Sequence, residues 1–382
     1  MNFTLSDEHD LIKKTAREFA EEHLSPGVIE RDDTATFPSD QIKMMGELGF
    51  LGVMVPEKYN GAGMDALSYV IAMEEISRSD ASAGVVMSVN NSLVCQIFLD
   101  WATEEQKNKY LKKLATGEWL GAFSLSEPQS GSDASNMRTV AEKDGDHYIL
   151  NGTKNWVTSG ISSDLVLVFV ITEKGVGYKG ISTFIVEKGT PGFSTGEKEN
   201  KLGIRGSDTC ELFFDNCRIP AENMIGDPGY GFKIAMNTLN GGRIGIASQA
   251  LGIAQAALEK SISYAKDRKQ FGKSISEYGA VQSKITKMGT NIEASRLLIY
   301  RAAIMKNEHK QFSKEAAMAK LFASQTAVDA ARDCVQIYGG YGYMQETGVE
   351  RLMRDAKITQ IYEGTSEIQE LVIARELLKE YS

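Results

Sequence analysis

The stretch Ile361-Tyr362-Glu363-Gly364-Thr365-Ser366-Glu367-Ile368-Gln369 places a carboxylate in the break between two helical patterns. A general base must be held by rigid elements and still reach a substrate, and a break of this kind supplies both. Before it, residues 351–361 read as helix or tight turn. After it, Ile368, Leu371, Val372 and Leu378 recur at helical spacing, and Ser366 with Gln369 has the form of a capping box that starts the new helix. Glu363 is therefore a candidate for proton abstraction. The same Glu-Gly pair also fits a solvated turn.

A second cluster, Phe123-Ser124-Leu125-Ser126-Glu127-Pro128-Gln129-Ser130-Gly131-Ser132-Asp133, gathers hydroxyls, a glycine and a proline-set turn. Such a segment can offer side-chain and backbone donors to phosphate oxygens, and it also reads as an ordinary polar turn. Downstream, Trp156-Val157-Thr158 sets a flat aromatic face beside a hydroxyl, at the end of the second arm of an expected Asn-Gly hairpin. A core tryptophan fits that pattern, and so does a platform for an isoalloxazine ring. Arg268-Lys269-Gln270-Phe271-Gly272 and Gln336-Ile337-Tyr338-Gly339-Gly340-Tyr341-Gly342 combine donors with bare backbone, which suits a dinucleotide passing closely. Each is equally a helix end with a basic last turn. Gly61-Ala62-Gly63-Met64-Asp65-Ala66 formally matches a relaxed dinucleotide fingerprint with Asp80 downstream. Val55-Pro56 breaks the preceding strand and another helix follows Asp80, so no βαβ unit supports it.

The elements that must position these residues change texture twice. Up to about residue 117 the apolar spacing is helical: Leu11, Ala16, Phe19 and Ala20; Ile42, Met45 and Leu48 after a cap at Ser39; then Val86, Val89, Leu93, Ile97 and Trp101. Thr103 with Gln106 opens a further helix that ends near Gly117. From 121 to 228 short β-branched and aromatic runs take over, with strands expected at 139–143, 147–150, 153–157, 165–171, 181–187 and 210–215. Asp144-Gly145 and Asn151-Gly152 read as two-residue hairpin turns. From 233 onward long helical periods return. Helices, a β block and a helical bundle imply an α+β multi-domain chain divided at 1–120, 121–230 and 231–382, with ligand sites favoured at the seams.

Composition narrows the function classes. Across 382 residues, 51 acidic against 42 scattered basic residues leave a net charge of −9, which argues against a nucleic-acid partner. Four cysteines at wide, irregular spacing fit neither a disulfide framework nor a zinc cluster, and four scattered histidines support neither metal ligation nor a histidine-activated nucleophile. The start Met1-Asn2-Phe3-Thr4-Leu5-Ser6-Asp7-Glu8 lacks the features of a signal or transit peptide and reads as a mature cytoplasmic start, or as that of a processed mitochondrial-matrix chain. The one run apolar enough to pass for a membrane span, 81–99, carries Ser88, Asn90, Asn91, Ser92 and Gln96, and is expected to be a buried helix instead.

Taken in order, these segments resemble the acyl-CoA dehydrogenase flavoprotein family over essentially the whole chain. The motifs that carry the resemblance are Ser126-Glu127-Pro128 with Gly131-Ser132-Asp133, Lys201-Leu202-Gly203-Ile204-Arg205-Gly206-Ser207 leading to Phe213-Phe214-Asp215, and Gly241-Gly242-Arg243. Arg268 to Gly272, Gly339-Gly340-Tyr341-Gly342 and Ile361 to Glu367 complete the set.

The resemblance implies an N-terminal helical domain, a middle β-barrel-like domain and a C-terminal four-helix bundle, assembled as a homotetramer built as a dimer of dimers. It implies FAD, held by Phe123, Leu125, Ser126, Gly131, Ser132, Trp156, Val157 and Thr158, with Thr365, Ser366 and Glu367 on the nucleotide part. Arg268, Phe271, Gln336, Gly339 and Gly340 would come from the neighbouring subunit. It implies an acyl-CoA substrate contacted by Ser132, Asn240, Gly241, Gly242, Arg243 and Gly364, and electrons passed to an electron-transferring flavoprotein. Glu363 would take the α-proton while flavin N5 accepts the β-hydride, and the Glu363 N–H with a ribityl hydroxyl would hold the thioester oxygen. Gln249 and Thr359 match positions that close the acyl pocket in short-chain members, which points to a butyryl-CoA-like substrate.

Relatives with a relocated base carry Glu where Gly242 stands, so that alternative place is empty here. Asn240 replaces the Asp of many relatives, and Gln129-Ser130 is unusual at the pocket rim. Branched or cyclic short acyl groups stay open. So does a same-fold oxidase, although length disfavours the acyl-CoA oxidases and Glu at 363 disfavours the nitroalkane type. A non-catalytic CoA-binding protein is argued against by the retention of Glu363.

Overall fold

The computed structural model describes residues 5–381, so the opening Met1 to Thr4 of the N-terminal reading lies outside the described residues. The first third is helical: α1 (Asp7–Phe19), α2 (Val28–Asp33), α3 (Ser39–Glu47), α4 (Ala66–Ser79), α5 (Ala81–Ser88) and α6 (Gln96–Trp101), followed by the short α7 (Glu104–Gln106) and α8 (Lys112–Ala115). Caps fix several starts. Asp65 accepts the Ser68 N–H at 2.7 Å, Asp80 accepts that of Ser82 at 2.9 Å, and Thr103 and Gln106 form a reciprocal capping box. Ser39 is the first helical residue rather than the cap, which falls on Pro38 with no side-chain bond.

A π-helical turn, Val89–Cys95, joins α5 to α6, so that Ala81–Trp101 is one run long and apolar enough to cross a membrane; it is almost wholly buried inside the protein. Its two buried asparagines are satisfied there. Asn90 donates to Leu51 O and Leu114 O at 2.8 and 3.0 Å, while Asn91 donates to Phe50 O and accepts from Val53 N.

The middle third is one eight-stranded sheet in the order β6-β7-β3-β2-β4-β5-β8, with β1 (Gly121–Ser124) lying parallel on β4. The others are β2 (Val140–Asp144), β3 (His147–Thr158), β4 (Leu165–Ile171), β5 (Ile181–Glu187), β6 (Phe193–Thr195), β7 (Thr209–Pro220) and β8 (Met224–Ile225). Strand β4 is buried on both faces because its alternate residues serve two cores: Leu165, Leu167 and Phe169 join the helical core, and Val166, Val168 and Val170 the core of the sheet.

Asp144↔His147 pairing bears out the first hairpin. The second expected hairpin is not one. Chain β3 runs straight through Asn151-Gly152, with a register shift against β7 at that point. Gly152 has φ +147°, and a Cβ there would stand 2.5 Å from Thr139 Oγ1, so the glycine serves a bulge with close packing rather than a turn.

The last third contains α9 (Gly231–Asp267), the hairpin of β9 (Lys269–Gln270) and β10 (Lys273–Ser274), α10 (Gly279–Asn307), α11 (Ser313–Tyr338), α12 (Val349–Ile358) and α13 (Ser366–Glu380). Small residues let α9 and α11 approach closely: Ala247, Ala250, Ala254 and Ala257 on one, Ala316, Ala319, Ala323 and Ala327 on the other, all buried. The three layers expected from sequence are present in order.

Candidate active site

Glu363 sits in the break between α12 and α13 in left-handed conformation, φ +53°, followed by Gly364 at φ +94°. Such a φ on a non-glycine residue costs about 1–3 kcal/mol and persists only where the surroundings impose it. Two buried donors do so. Lys320 Nζ on α11 donates to Gly364 O at 2.6 Å, and Gln369 Nε2 donates to Gly364 O at 2.9 Å and Glu363 O at 3.3 Å. The capping box expected from Ser366 and Gln369 is therefore absent. Thr365 is the cap of α13, accepting from Ile368 N, and Gln369 is drawn away to the carbonyls of the turn.

The carboxylate points across the turn at α9. A Cβ built on Gly242 would lie 2.1 Å from Glu363 Oε2, and that oxygen is shut off from solvent without a hydrogen-bond partner. Burial raises the Glu363 pKa to about 7 against the opposing pull of Lys320 and Arg243. The backbone N–H of Glu363 has no acceptor among the described residues.

Around the carboxylate the walls are polar and tightly held. Gln249 is fully buried, donating to Ala81 O at 2.8 Å and accepting from the Tyr362 hydroxyl. Thr359 is fully buried too, with Oγ1 turned back to Ala356 O at 2.7 Å. Arg243 donates to Asn240 Oδ1 at 2.8 Å, so the amide at 240 still engages the arginine. One turn along α9, a Cβ at Gly245 would meet the hydroxyls of Tyr69 and Ser88, each at 2.5 Å.

The β block contributes a second group. Asn155 N donates to Ser126 O at 2.9 Å, which brings 123–132 beside 154–158. Trp156 is not a core residue: a second bulge between Lys154 and Val157 and φ +60° leave it 61% exposed. Beneath it Lys154 and Glu127 form a wholly buried ion pair at 2.8 Å. Lys154 also donates to Leu125 O, and Glu127 also accepts from Thr139 N and Arg138 N.

An uncovered indole face, the open Gly131 and the orphaned buried hydroxyls of Ser124 and Ser159 fit a planar ring carrying a phosphate tail. Sequence reasoning missed Lys154, Lys320, Tyr362 and Tyr69. The only available sign was a lone lysine at an inward-facing position of an alternating strand or on an alanine-rich helix face.

The remaining candidates stand apart from these two groups. Arg268 lies over the Tyr341 ring at 5.6 Å, Phe271 at the hairpin tip is 96% exposed, Gln336 is exposed, and Gly339 and Gly340 face open space. From Gly242 to Asp267 the helix rises about 38 Å, so this cluster does not touch the carboxylate within one chain. Among the described residues no group of three or more His, Cys, Asp or Glu is placed to hold a metal ion.

The family descriptions for the N-terminal, middle and C-terminal domains of acyl-CoA dehydrogenase match residues 6–118, 122–217 and 229–378. An acyl-CoA dehydrogenase of Bacillus subtilis is 51% identical over 98% of this chain and 99% of its own length. The mitochondrial short-chain specific acyl-CoA dehydrogenase of Bos taurus is 50% identical over 99% and 92%. Among solved structures, butyryl-CoA dehydrogenase from Megasphaera elsdenii superposes with a TM-score of 0.97 at 47% identity, covering 99% of this chain and all of that one. A chain from work on the electron transferring flavoprotein of Acidaminococcus fermentans reaches 0.98 at 50% identity over 99% and 100%. Two further neighbours were solved with FAD or FADH2. The chain belongs to the acyl-CoA dehydrogenase family of FAD-dependent oxidoreductases.

Proposed function

We propose that this protein dehydrogenates a short-chain acyl-CoA thioester, of butyryl size, to the trans-2-enoyl-CoA, with Glu363 abstracting the proton from the α carbon. The observation that carries this reading is the Glu363 carboxylate: its Oε2 is shut off from solvent without a hydrogen-bond partner, and its pKa is raised toward neutrality. Such a group is a far better match to carbon deprotonation than a solvated glutamate. The free Glu363 N–H, one residue's reach from the carboxylate, is suited to hold the thioester oxygen as negative charge develops on it. FAD, when bound, supplies the acceptor for the β-hydride.

Phe123, Leu125, Ser126, Gly131, Ser132, Trp156, Val157 and Thr158 would hold that cofactor, with Thr365, Ser366 and Glu367 at its nucleotide end. Arg268, Phe271, Gln336, Gly339 and Gly340 would serve a neighbouring copy in a homotetramer; their exposure about 38 Å of helix away from Gly242 supports it. Ser132, Asn240, Gly241, Gly242, Arg243 and Gly364 would meet the CoA and thioester portions. The Gln249–Tyr362 pair and Thr359 would end the acyl pocket, since a longer tail would have to displace satisfied buried polar groups. We further propose an electron-transferring flavoprotein as the electron acceptor, a cytoplasmic setting in keeping with four free buried cysteines, and functional units at 1–120, 121–230 and 231–382.

The test is Glu363→Gln. The variant should remain yellow and bind butyryl-CoA, and should lose roughly 10²–10⁴-fold or more in the rate of anaerobic flavin bleaching. Near-normal bleaching would remove Glu363 from the mechanism.

A further inference from the structure

We propose that Lys320 is a positioning residue for proton abstraction: with Gln369 it clamps the left-handed Glu363–Gly364 backbone, and its ammonium charge holds the facing carboxylate in its reactive, ionised form. This rests on Glu363 being the base. Lys320 is 1% exposed and lies on α11, 44 positions from the carbonyl it bonds. The hydrogen bond it donates goes to the carbonyl of Gly364, and among the described residues it forms no ion pair with a carboxylate.

An ammonium in such a place is costly, and a neutral donor of similar length could serve the carbonyl without that cost. What a lysine adds is charge, and the anion it faces is Glu363. The charges of Arg243 on α9 and Lys320 on α11 act on Glu363 through space, and so do the phenols of Tyr69 on α4 and Tyr362 beside it, while Oε2 has no hydrogen-bond partner. Arg243 already spends one nitrogen on Asn240 and faces Arg375, whereas Lys320 alone combines the charge with a direct grip on the turn. Burial depresses the Lys320 pKa to about 8, which still leaves it protonated at neutral pH.

Two variants of the holoenzyme separate grip from charge. Lys320→Gln keeps a donor for the Gly364 carbonyl and removes the charge; Lys320→Met removes both. In enzyme labelled with 13C at the glutamate carboxyls, with the Glu363 signal assigned by difference against Glu363→Gln, the midpoint should move alkaline by about 1–3 pH units in both variants. The acid limb of kcat/KM should move with it. Lys320→Met should in addition lower the limiting rate of flavin reduction by about tenfold or more, through the loosened turn. An unmoved midpoint in Lys320→Gln overturns the proposal. Failure of that variant to accumulate as a folded yellow protein overturns it as well, because the lysine then serves folding alone. If Glu363→Gln itself keeps its rate, the base assignment falls, an outcome distinct from an unmoved midpoint beside an inactive Glu363→Gln.

Discussion

Replacing Gly242 with alanine tests the geometry of the carboxylate without altering its chemistry. The added methyl would stand 2.1 Å from Glu363 Oε2 and 2.8 Å from Leu93 Cδ2. The leucine contact involves the end of a flexible side chain and can relax. The carboxylate cannot relax without leaving its place, because ordinary contact begins near 3.4 Å and the oxygen must retreat by about 1.3 Å while its backbone stays clamped by Lys320 and Gln369. A misplacement of about 1 Å at a reacting group costs about 10²-fold, equivalent to about 2.7 kcal/mol of barrier. Helix propensity works the other way, since alanine favours a helix interior over glycine by about 1 kcal/mol, so no loss of folding is expected from α9 itself. Stopped-flow reduction of the flavin by saturating butyryl-CoA without oxygen reads the rate, with FAD content and Tm as controls. A Gly242→Ala enzyme with normal FAD content and a reduction rate within about threefold of the parent would refute the placement of Oε2 against α9.

Three other outcomes follow from the same geometry. Because burial raises the Glu363 pKa to about 7, and only the ionised form can accept a proton, kcat/KM should fall about tenfold per pH unit below that point and level off above it; a flat profile between pH 5 and 7 contradicts the assignment. Gln249→Gly should shift preference toward longer acyl chains. It should also lower Tm, because it strands the Tyr362 hydroxyl and the Ala81 carbonyl at about 1–3 kcal/mol, and an unchanged chain-length profile would separate Gln249 from the pocket floor. Lys154→Met leaves Glu127 buried without its counter-charge, a loss of about 3–5 kcal/mol, and frees both the 125–138 loop and the strand before Trp156. Weakened FAD retention measured by ultrafiltration should accompany the drop in Tm; full retention would confine the pair to folding.

What could be read in the sequence was what is local. The helical period of residues such as Val86, Leu93 and Ile97, the strand runs around β4 and β5, and the Glu-Gly break at 363 each depend on neighbours within a few positions, and each is found where expected. The misreadings at 151–152, at 366–369 and at Trp156 share one origin. Asn151-Gly152 obeys the local rule for a hairpin, yet the chain continues as β3 because Thr139 packs against Gly152 and β7 pairs on both sides of it. Ser366 and Gln369 obey the local rule for a capping box, yet Gln369 is worth more to the carbonyls of a strained turn than to a helix start that Thr365 already caps. Trp156 sits on an alternating strand, and only the bulge against β7 turns it outward.

The residues that tune the site are invisible to local rules for the same reason. Lys154 meets Glu127 across 27 positions and Lys320 meets Gly364 across 44, and no short period links either pair. A carboxylate in a helix break can be recognised from its own surroundings. Its proton affinity is a property of the fold, set by a lysine on another helix, an arginine on a third and the exclusion of water by all of them. It follows that substitutions far from 363 in sequence, at 242 or 320, should change the rate and its pH dependence as strongly as many substitutions beside it.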